Sequence, residues 1–529
     1  MKKNFYVTTP IYYVNGSPHI GHAYTTIASD VLARFKRLEG FEVMFLTGTD
    51  EHGQKVDKAA KLANMDPQAF TDQLSTRFRD LSANGSNLLN VSNNDFIRTT
   101  EERHKLAAQD FWQRIKNNGH IYKDVYEGWY SIRDEAYYAE SELVDGKAPT
   151  GAEVEWVKEE SYFFDLSKWQ TKLLDFYEQN PDFVTPNARF NEVKSFVRGG
   201  KELVVGALKD LSISRTTFSW GIKIPEAQGH VMYVWIDALA NYLTALGYPD
   251  LNADKYKKFW CNVDNSPIHI VGKDILRFHA VYWPALLMAA DLPLPKKIVA
   301  HGWWTIEGEK MSKSLGNVVA PKELIDEFGL DQTRYFLLRE VPFGNDGNFS
   351  KKQMFLRINS DLANNVGNLV QRTLAMIQKN CAGKVPEPQK FSPEDITLLS
   401  EARVTLTETE SIKHIDHLVS ECKFDIILKD IIAIASKANE YIDAQAPWQL
   451  KKTDTKRMDT VLYVLAETIR CIGIMLQPFI PESAEKILNQ LCIPDKERLF
   501  VNLTEDFALK PGIILPEPEV IFPRLKEEA

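Results

Sequence analysis

The 529-residue sequence contains no apolar run near the ~18 residues that a membrane-spanning helix needs, so no transmembrane segment is expected. It also lacks the pattern of a signal or transit peptide. After Met1-Lys2-Lys3, the run Asn4-Phe5-Tyr6-Val7-Thr8-Thr9 already reads as a strand. A cytoplasmic location is the expectation from both absences. Cysteine is scarce: Cys261, Cys381, Cys422, Cys471 and Cys492 are dispersed, odd in number and without a C-x-x-C pair. That argues against a disulfide framework and against a cysteine-rich metal site, and predicts small buried residues in a reducing compartment. Basic excess is missing too, since 63 Lys and Arg against 72 Asp and Glu leave a net charge of −9. A general nucleic-acid coat is thereby disfavoured, while RNA contact through local patches stays open. Internal repeats and low-complexity tracts are absent.

What remains is an ordinary globular balance, 44% hydrophobic and 26% charged, at a length that exceeds one core and predicts about two to four domains. The first sixty residues have the rhythm of a βαβ unit. A strand from Asn4 to Thr9 leads through a loop rich in Pro, Gly and Asn to a helix over 21–38, with Tyr24, Ile27, Val31, Phe35 and Leu38 at steps of three and four and Gly40 as a C-terminal cap. The run 42–48 predicts a buried strand, and Asp50-Glu51-His52-Gly53 the loop at its carboxyl end, where open α/β sheets bind ligands. Helices are expected over 67–83 and 100–118, the second opened by a Thr99-x-x-Glu102 capping box. From 119 to 219 aromatic-rich segments alternate with turns, predicting an α+β insertion. Strands at 231–235 and 268–271 then feed loops bearing Asp237 and Asp274. From 353 to 493 the pattern is almost wholly helical, broken by the proline-bearing linker 383–389.

Two motifs carry chemistry. His19-Ile20-Gly21-His22 lies where the first strand meets the first helix. A helix N-terminus offers unpaired N–H groups and positive potential, Gly21 allows close backbone approach, and imidazoles can donate to phosphoryl oxygens as charge shifts. Two histidines capping a helix is the plainer reading of the same four residues. Far downstream, Lys310-Met311-Ser312-Lys313-Ser314 places two lysines on a small-residue loop able to neutralise a polyphosphate. A solvated basic turn is the plainer alternative there. Both motifs in this order make coincidence a poor explanation.

With these motifs the chain resembles the class I aminoacyl-tRNA synthetases, and almost end to end the methionyl-tRNA synthetase family. The resemblance implies an α/β fold: a Rossmann-like parallel-sheet catalytic core in two halves (1–118 and 220–320) split by a connective insertion (119–219). A stem-contact segment (321–375) and a helical anticodon-binding bundle (376–529) follow. It implies that methionine and ATP, with Mg2+ accompanying ATP as substrate, give methionyl-adenylate, and that tRNA(Met) then receives the methionyl group. His19, His22, Lys310 and Lys313 correspond to catalytic positions, and Gly21, Gly272, Asp274 and Ser312 join them around ATP. Ile11, Tyr13, Trp235, Ala238, Leu239, Tyr242, Ile275 and His279 correspond to a methionine pocket whose aromatic and aliphatic walls suit a flexible thioether. Asp50 is the implied ammonium anchor, braced by Arg215. Each aromatic taken singly is also an ordinary core residue. Asn368, Arg372, Asn439 and Trp448 match the anticodon-facing segment, where splayed bases stack on planar groups and meet hydrogen-bonding side chains; Trp448 after Pro447 could equally serve a core.

The family pattern is broken in one place. Many relatives carry zinc-binding cysteine knuckles in the insertion, whereas 119–219 holds no cysteine; Trp129, Tyr130, Asp134, Glu135 and Tyr137 fill the comparable stretch, and His120 is its only histidine. No structural zinc is expected, and the absence of an appended oligonucleotide-binding module implies a monomer. Synthetases for leucine, isoleucine or valine would carry larger editing insertions, and the cysteine enzyme would carry zinc ligands. A nucleotidylyltransferase would need neither the lysine loop nor the helical region. A catalytically inactive tRNA-binding paralogue would be free to lose the histidines and lysines that are present here.

Overall fold

The computed structural model describes residues 3–526 apart from 135, 139, 262–266, 307, 311–317 and 408–417. From the amino end come β1 (Asn4–Thr8), β2 (Tyr12–Tyr13), α1 (Ile20–Leu38), β3 (Glu42–Asp50), α2 (Gln54–Leu62), α3 (Pro67–Arg79), β4 (Asp95–Arg98) and α4 (Glu102–Asn117). They are followed by β5 (Ile121–Ser131), β6 (Ala136–Tyr138), β7 (Glu155–Phe164), α5 (Gln170–Gln179), β8 (Val184–Thr185), α6 (Asn187–Arg198) and β9 (Leu211–Ser212). Then come β10 (Ser214–Arg215), β11 (Val231–Met232), α7 (Val234–Thr244), β12 (Ile268–Gly272), β13 (Lys297–His301), β14 (Trp304–Ile306), β15 (Glu309–Lys310) and β16 (Gly347–Phe349). The chain forms two compact units. One holds Lys3–Pro18 and Val43–His301; the other holds His19–Glu42 and the chain from Gly302 onward. Among the described residues no helix is long and apolar enough to cross a membrane.

In the first unit, strands run β2-β3-β1-β12-β13-β8 across one sheet, with β4 also paired to β3. The ladders β1–β12, β12–β13, β13–β8, β2–β3 and β3–β4 are all parallel. Parallel strands are covered on both faces, which is why they read as apolar runs and not as alternation. Val7, Phe45, Leu46, Ile270, Val271, Ile298 and Val299 are all completely buried.

The expected insertion is only partly a separate layer. β6-β5-β7-β9 form an antiparallel sheet, but β8, from the same stretch, is an edge strand of the parallel sheet. In the cysteine-free stretch, Trp129 meets Trp156 edge-on at 5.2 Å and Asp134 accepts hydrogen bonds from Tyr138 and Thr150. Other expectations need correction. Helix α2 has no counterpart in the sequence reading. The Thr99–Glu102 capping box does not form: α4 has Glu101 at its N-cap with no side-chain cap, and the Thr99 hydroxyl accepts from the Glu51 amide at 2.9 Å. The strand expected over 231–235 stops at Met232, so Trp235 and Asp237 lie on a helix. Nor are the cysteines uniformly buried, for only Cys422 and Cys471 are, while Cys261 and Cys492 are exposed. Cys261 simply follows a short surface helix, Asp254–Phe259.

The second unit is mainly helical. Helix α1 ends as its sequence predicts, with Gly40 at φ +88° donating its amide to the Arg37 carbonyl at 2.9 Å. Asp30 on α1 is fully buried and paired with Arg334 at 2.8 Å, while Arg334 also donates to the carbonyls of Phe479 and Pro478. Breaking such a buried pair by removing one partner costs about 3–5 kcal/mol, so it fixes α1 against the helix Leu330–Arg339. The helix Thr455–Leu476 is apolar on nearly every face and buried from Thr460 onward, which marks it as the centre of the carboxyl-terminal bundle.

Candidate active site

Parallel pairing sets Tyr13 of β2 directly opposite Asp50, the last residue of β3. The Asp50 side of the sheet is its carboxyl edge, the usual ligand side of an open α/β sheet. Tyr13 donates its hydroxyl to the His52 carbonyl at 2.9 Å, and the Lys55 ammonium lies 5.0 Å from the Tyr13 ring centre. Asp50 is buried, at 7% exposure. Next to it, Glu51 is held by Arg98 through bonds of 2.7 and 2.9 Å and accepts from Thr49, so the backbone of this strand end is firmly anchored.

Trp235, Ala238, Leu239 and Tyr242 stand at i, i+3, i+4 and i+7 on α7 and therefore share one face. Trp235 stacks on Phe278 with ring centres 3.7 Å apart and planes 4° apart; Phe278 is a site neighbour the sequence reading missed. At the carboxyl end of β12 comes the turn Lys273–Ile275 and then a π-helical segment, Phe278–Tyr282, which carries His279. A Cβ on Gly272 would come within 2.6 Å of the Asp274 carboxylate, so glycine is what lets Asp274 fold back over the strand end.

The Tyr242–His279 pair has a defined polarity. His279 Nδ1 lies 3.0 Å from the Ile275 carbonyl, which can only accept, so Nδ1 carries the ring proton. In the neutral ring Nε2 is then an acceptor, and Tyr242 donates to it at 2.7 Å. Burial lowers the His279 pKa to about 4 against the opposing Ile275 carbonyl and Asp274 charge, and burial raises the Tyr242 hydroxyl far above its ordinary value. Both groups are neutral at pH 7, as burial without a charged hydrogen-bond partner favours. In the unfolded chain His279 would titrate near ~6.5. Its neutral native form therefore stabilises the fold above that pH, and the contribution, up to about 3 kcal/mol, is lost progressively as pH falls towards 4. His279→Gln should accordingly flatten the decline in urea-unfolding free energy between pH 7 and 4; an unchanged slope would rule out this ring as its source.

Arg215 on β10 is buried at 2% exposure. It donates to the Ser214 carbonyl at 2.6 Å and to Ser212 Oγ at 3.1 Å, with its guanidinium 4.5 Å from the Tyr233 ring centre and 3.9 Å from Glu159.

In the second unit, His19 is the N-cap of α1. Its Nδ1 accepts from the Gly21 amide at 3.0 Å, and His22 Nδ1 accepts from the His19 amide at 3.0 Å. The capping reading is thus correct, yet it does not compete with a phosphate role. Capping uses Nδ1 of each ring and so places the proton of each neutral imidazole on Nε2, leaving Nε2–H as the donor. Gly21 has a local reason as well: a Cβ there would sit 2.8 Å from the His19 ring, so the cap itself demands glycine. Lys310 pairs through its backbone with Thr305 in β15–β14. Ser312 and Lys313 lie outside the described residues.

The carboxyl-terminal candidates converge. Asn368 donates to Asn439 at 3.2 Å, and Asn439 donates to Asn365 at 2.9 Å. Arg372 pairs with Asp443 at 2.7 Å, and its guanidinium lies 5.6 Å from the Trp448 ring centre. Trp448 is 43% exposed, on the short helix Pro447–Thr453. That exposure removes the core alternative for this side chain.

The model of class I tRNA synthetases of the methionine type matches residues 5–154 and 140–374, and that of the anticodon binding domain of methionyl tRNA ligase matches 385–529. Methionine–tRNA ligase of Rickettsia felis is 58% identical over 527 residues, covering 99% of both chains. The ligase of Brucella suis is 52% identical over 531 residues, again covering 99% of each. A solved Mycobacterium tuberculosis methionyl-tRNA synthetase in complex with methionyl-adenylate superposes with a TM-score of 0.92 at 46% identity, over 99% of this chain and 100% of that one. By fold and full-length similarity, the chain belongs to the methionyl-tRNA synthetase family of class I aminoacyl-tRNA synthetases.

Proposed function

We propose that this chain attaches methionine to tRNA(Met) with the following division of labour. Asp50 binds the substrate ammonium, with Arg215 as its balancing charge. Ile11, Tyr13, Ile275 and the Trp235–Ala238–Leu239–Tyr242 face enclose the thioether side chain, and the neutral Tyr242–His279 pair meets its sulfur. The methionine carboxylate attacks the α-phosphate of MgATP, forming methionyl-adenylate and releasing pyrophosphate. Gly272 and Asp274 take the ribose side of the nucleotide. The Nε2–H donors of His19 and His22, with Gly21, Lys310, Ser312 and Lys313, take the charge that builds on the departing phosphates. The terminal ribose hydroxyl of tRNA then attacks the adenylate carbonyl, AMP leaves, and the ester is complete.

The supporting observation is the common α7 face carrying four of the expected pocket residues, together with the register that sets Tyr13 beside Asp50. Asn439 and Trp448 of the 376–529 bundle read the anticodon together with Asn368 and Arg372 from the end of the 321–375 segment, whose remainder contacts the stem. The assignment includes a cytoplasmic monomer that needs no structural zinc. The direct check is aminoacylation of tRNA(Met) and of a non-cognate tRNA with labelled methionine. Selective charging of tRNA(Met) is the expected result, and charging of neither would point to an inactive tRNA-binding paralogue.

A further inference from the structure

Asp237 lies in the first turn of α7, in an otherwise apolar run, and has no solvent exposure. A carboxylate in that position must have both oxygens satisfied. Oδ2 is 2.7 Å from His52 Nδ1 and Oδ1 is 2.8 Å from His104 Nε2, so one side chain bridges the β3–α2 loop, α7 and α4. The carboxylate only accepts, which places a proton on His52 Nδ1 and one on His104 Nε2. Burial by itself would raise the Asp237 pKa, but the attraction of His52 and the hydrogen bonds from both rings outweigh it and keep the group ionised. His104 is braced in turn by Thr244 at 3.2 Å, also on α7.

The bridge touches both walls of the amino-acid site without belonging to either. His52 is two residues beyond Asp50, its carbonyl receives the Tyr13 hydroxyl, and its ring stands edge-on to Trp220 at 5.4 Å. Trp220 also donates to the Glu51 carbonyl at 2.6 Å, completing the frame around this loop. Asp237 is two residues beyond Trp235 and directly before Ala238. Beside the apolar packing, two short charge-assisted hydrogen bonds add a directional constraint on how the loop sits against the helix.

We propose that Asp237, held between His52 and His104, is a positioning residue that keeps the Asp50 loop in register with the Trp235–Tyr242 face of α7 and thereby sets the affinity for methionine. This rests on the reading of those residues as the methionine site. Its effect should fall on methionine and spare ATP.

The test is methionine-dependent exchange of labelled pyrophosphate into ATP, with KM measured for each substrate. Because misplacement by about 1 Å can cost roughly a hundredfold, His52→Ala should raise the methionine KM about 10- to 100-fold while changing the ATP KM less than about threefold. His52→Asn, whose amide N–H can stand where Nδ1–H stood, should recover methionine KM to within about threefold of the parent. Asp237→Asn keeps shape but offers one acceptor and one donor in place of two acceptors, and should show the same selective loss. An unchanged methionine KM in His52→Ala and Asp237→Asn would overturn the proposal. So would equal weakening of both substrates together with a lowered melting temperature, or failure of His52→Asn to recover. If the parent chain itself shows no methionine-dependent exchange, it is the site reading that fails.

Discussion

His22→Asn should slow methionine-dependent pyrophosphate exchange by about two to three orders of magnitude, with little change in methionine affinity. The substitution separates two jobs of one ring. His22 Nδ1 accepts from the His19 amide and closes the α1 cap; an asparagine carbonyl can do the same. The Nε2–H that the cap orients has no equivalent in asparagine. Losing one donor aimed at developing negative charge typically costs ~3–4 kcal/mol in the transition state, which is the expected rate loss. A melting temperature close to that of the parent protein would confirm that the cap survived. Exchange at near-parental rate in such a folded variant would remove His22 from the chemistry and leave it a capping residue alone.

Trp448→Ala should weaken tRNA(Met) charging by roughly five- to over a hundredfold, because base–aromatic stacking is worth ~1–3 kcal/mol per base. Pyrophosphate exchange, which needs no tRNA, should be almost untouched. Truncating a buried tryptophan would instead cost about 3–5 kcal/mol of stability. At 43% exposure and flanked by the Arg372 guanidinium, this ring has little packing to lose, so the melting curve should barely move. Charging and exchange measured side by side, with a melting curve, distinguish the roles. A joint fall of both activities with a lowered melting temperature would dismiss Trp448 as an anticodon contact.

The sequence discloses the parts of the fold that repeat a local pattern. Helix α1 has a clean three-four spacing, a capping histidine and a terminal glycine, and it forms almost as expected. Of the parallel strands, β1, β3 and β12 are legible as short apolar runs, whereas β2, β4 and β13 have no counterpart in the sequence reading. Helix α7 is not legible, because it is buried on nearly all sides and its period is masked; Val234-Trp235 then reads as the end of a strand. Strand β8 has two residues and no pattern to detect, yet it joins an expected insertion to the main sheet. Thr99 carries the letters of a cap but is recruited by the buried Glu51 amide, a tertiary demand that local spacing cannot reveal.

The proposed pocket residues follow the same division. Trp235, Ala238, Leu239 and Tyr242 are legible only through the family resemblance, and the structure explains their spacing by placing them on one helical face. His52, His104 and Asp237 escape a linear reading because no spacing connects them; 185 residues separate His52 from Asp237. A single signal was present, a lone carboxylate inside Val234-Trp235-Ile236-Asp237-Ala238-Leu239-Ala240. A buried charge in such a run demands partners, although only the fold says which.

The most direct measurement of the central claim is exchange of labelled pyrophosphate into ATP by the purified chain without tRNA, with each amino acid supplied in turn. Adenylate formation at a methionine-selective site predicts rapid exchange with methionine and little with leucine, isoleucine, valine or cysteine. No exchange with methionine, or equal exchange with one of the others, would contradict the account.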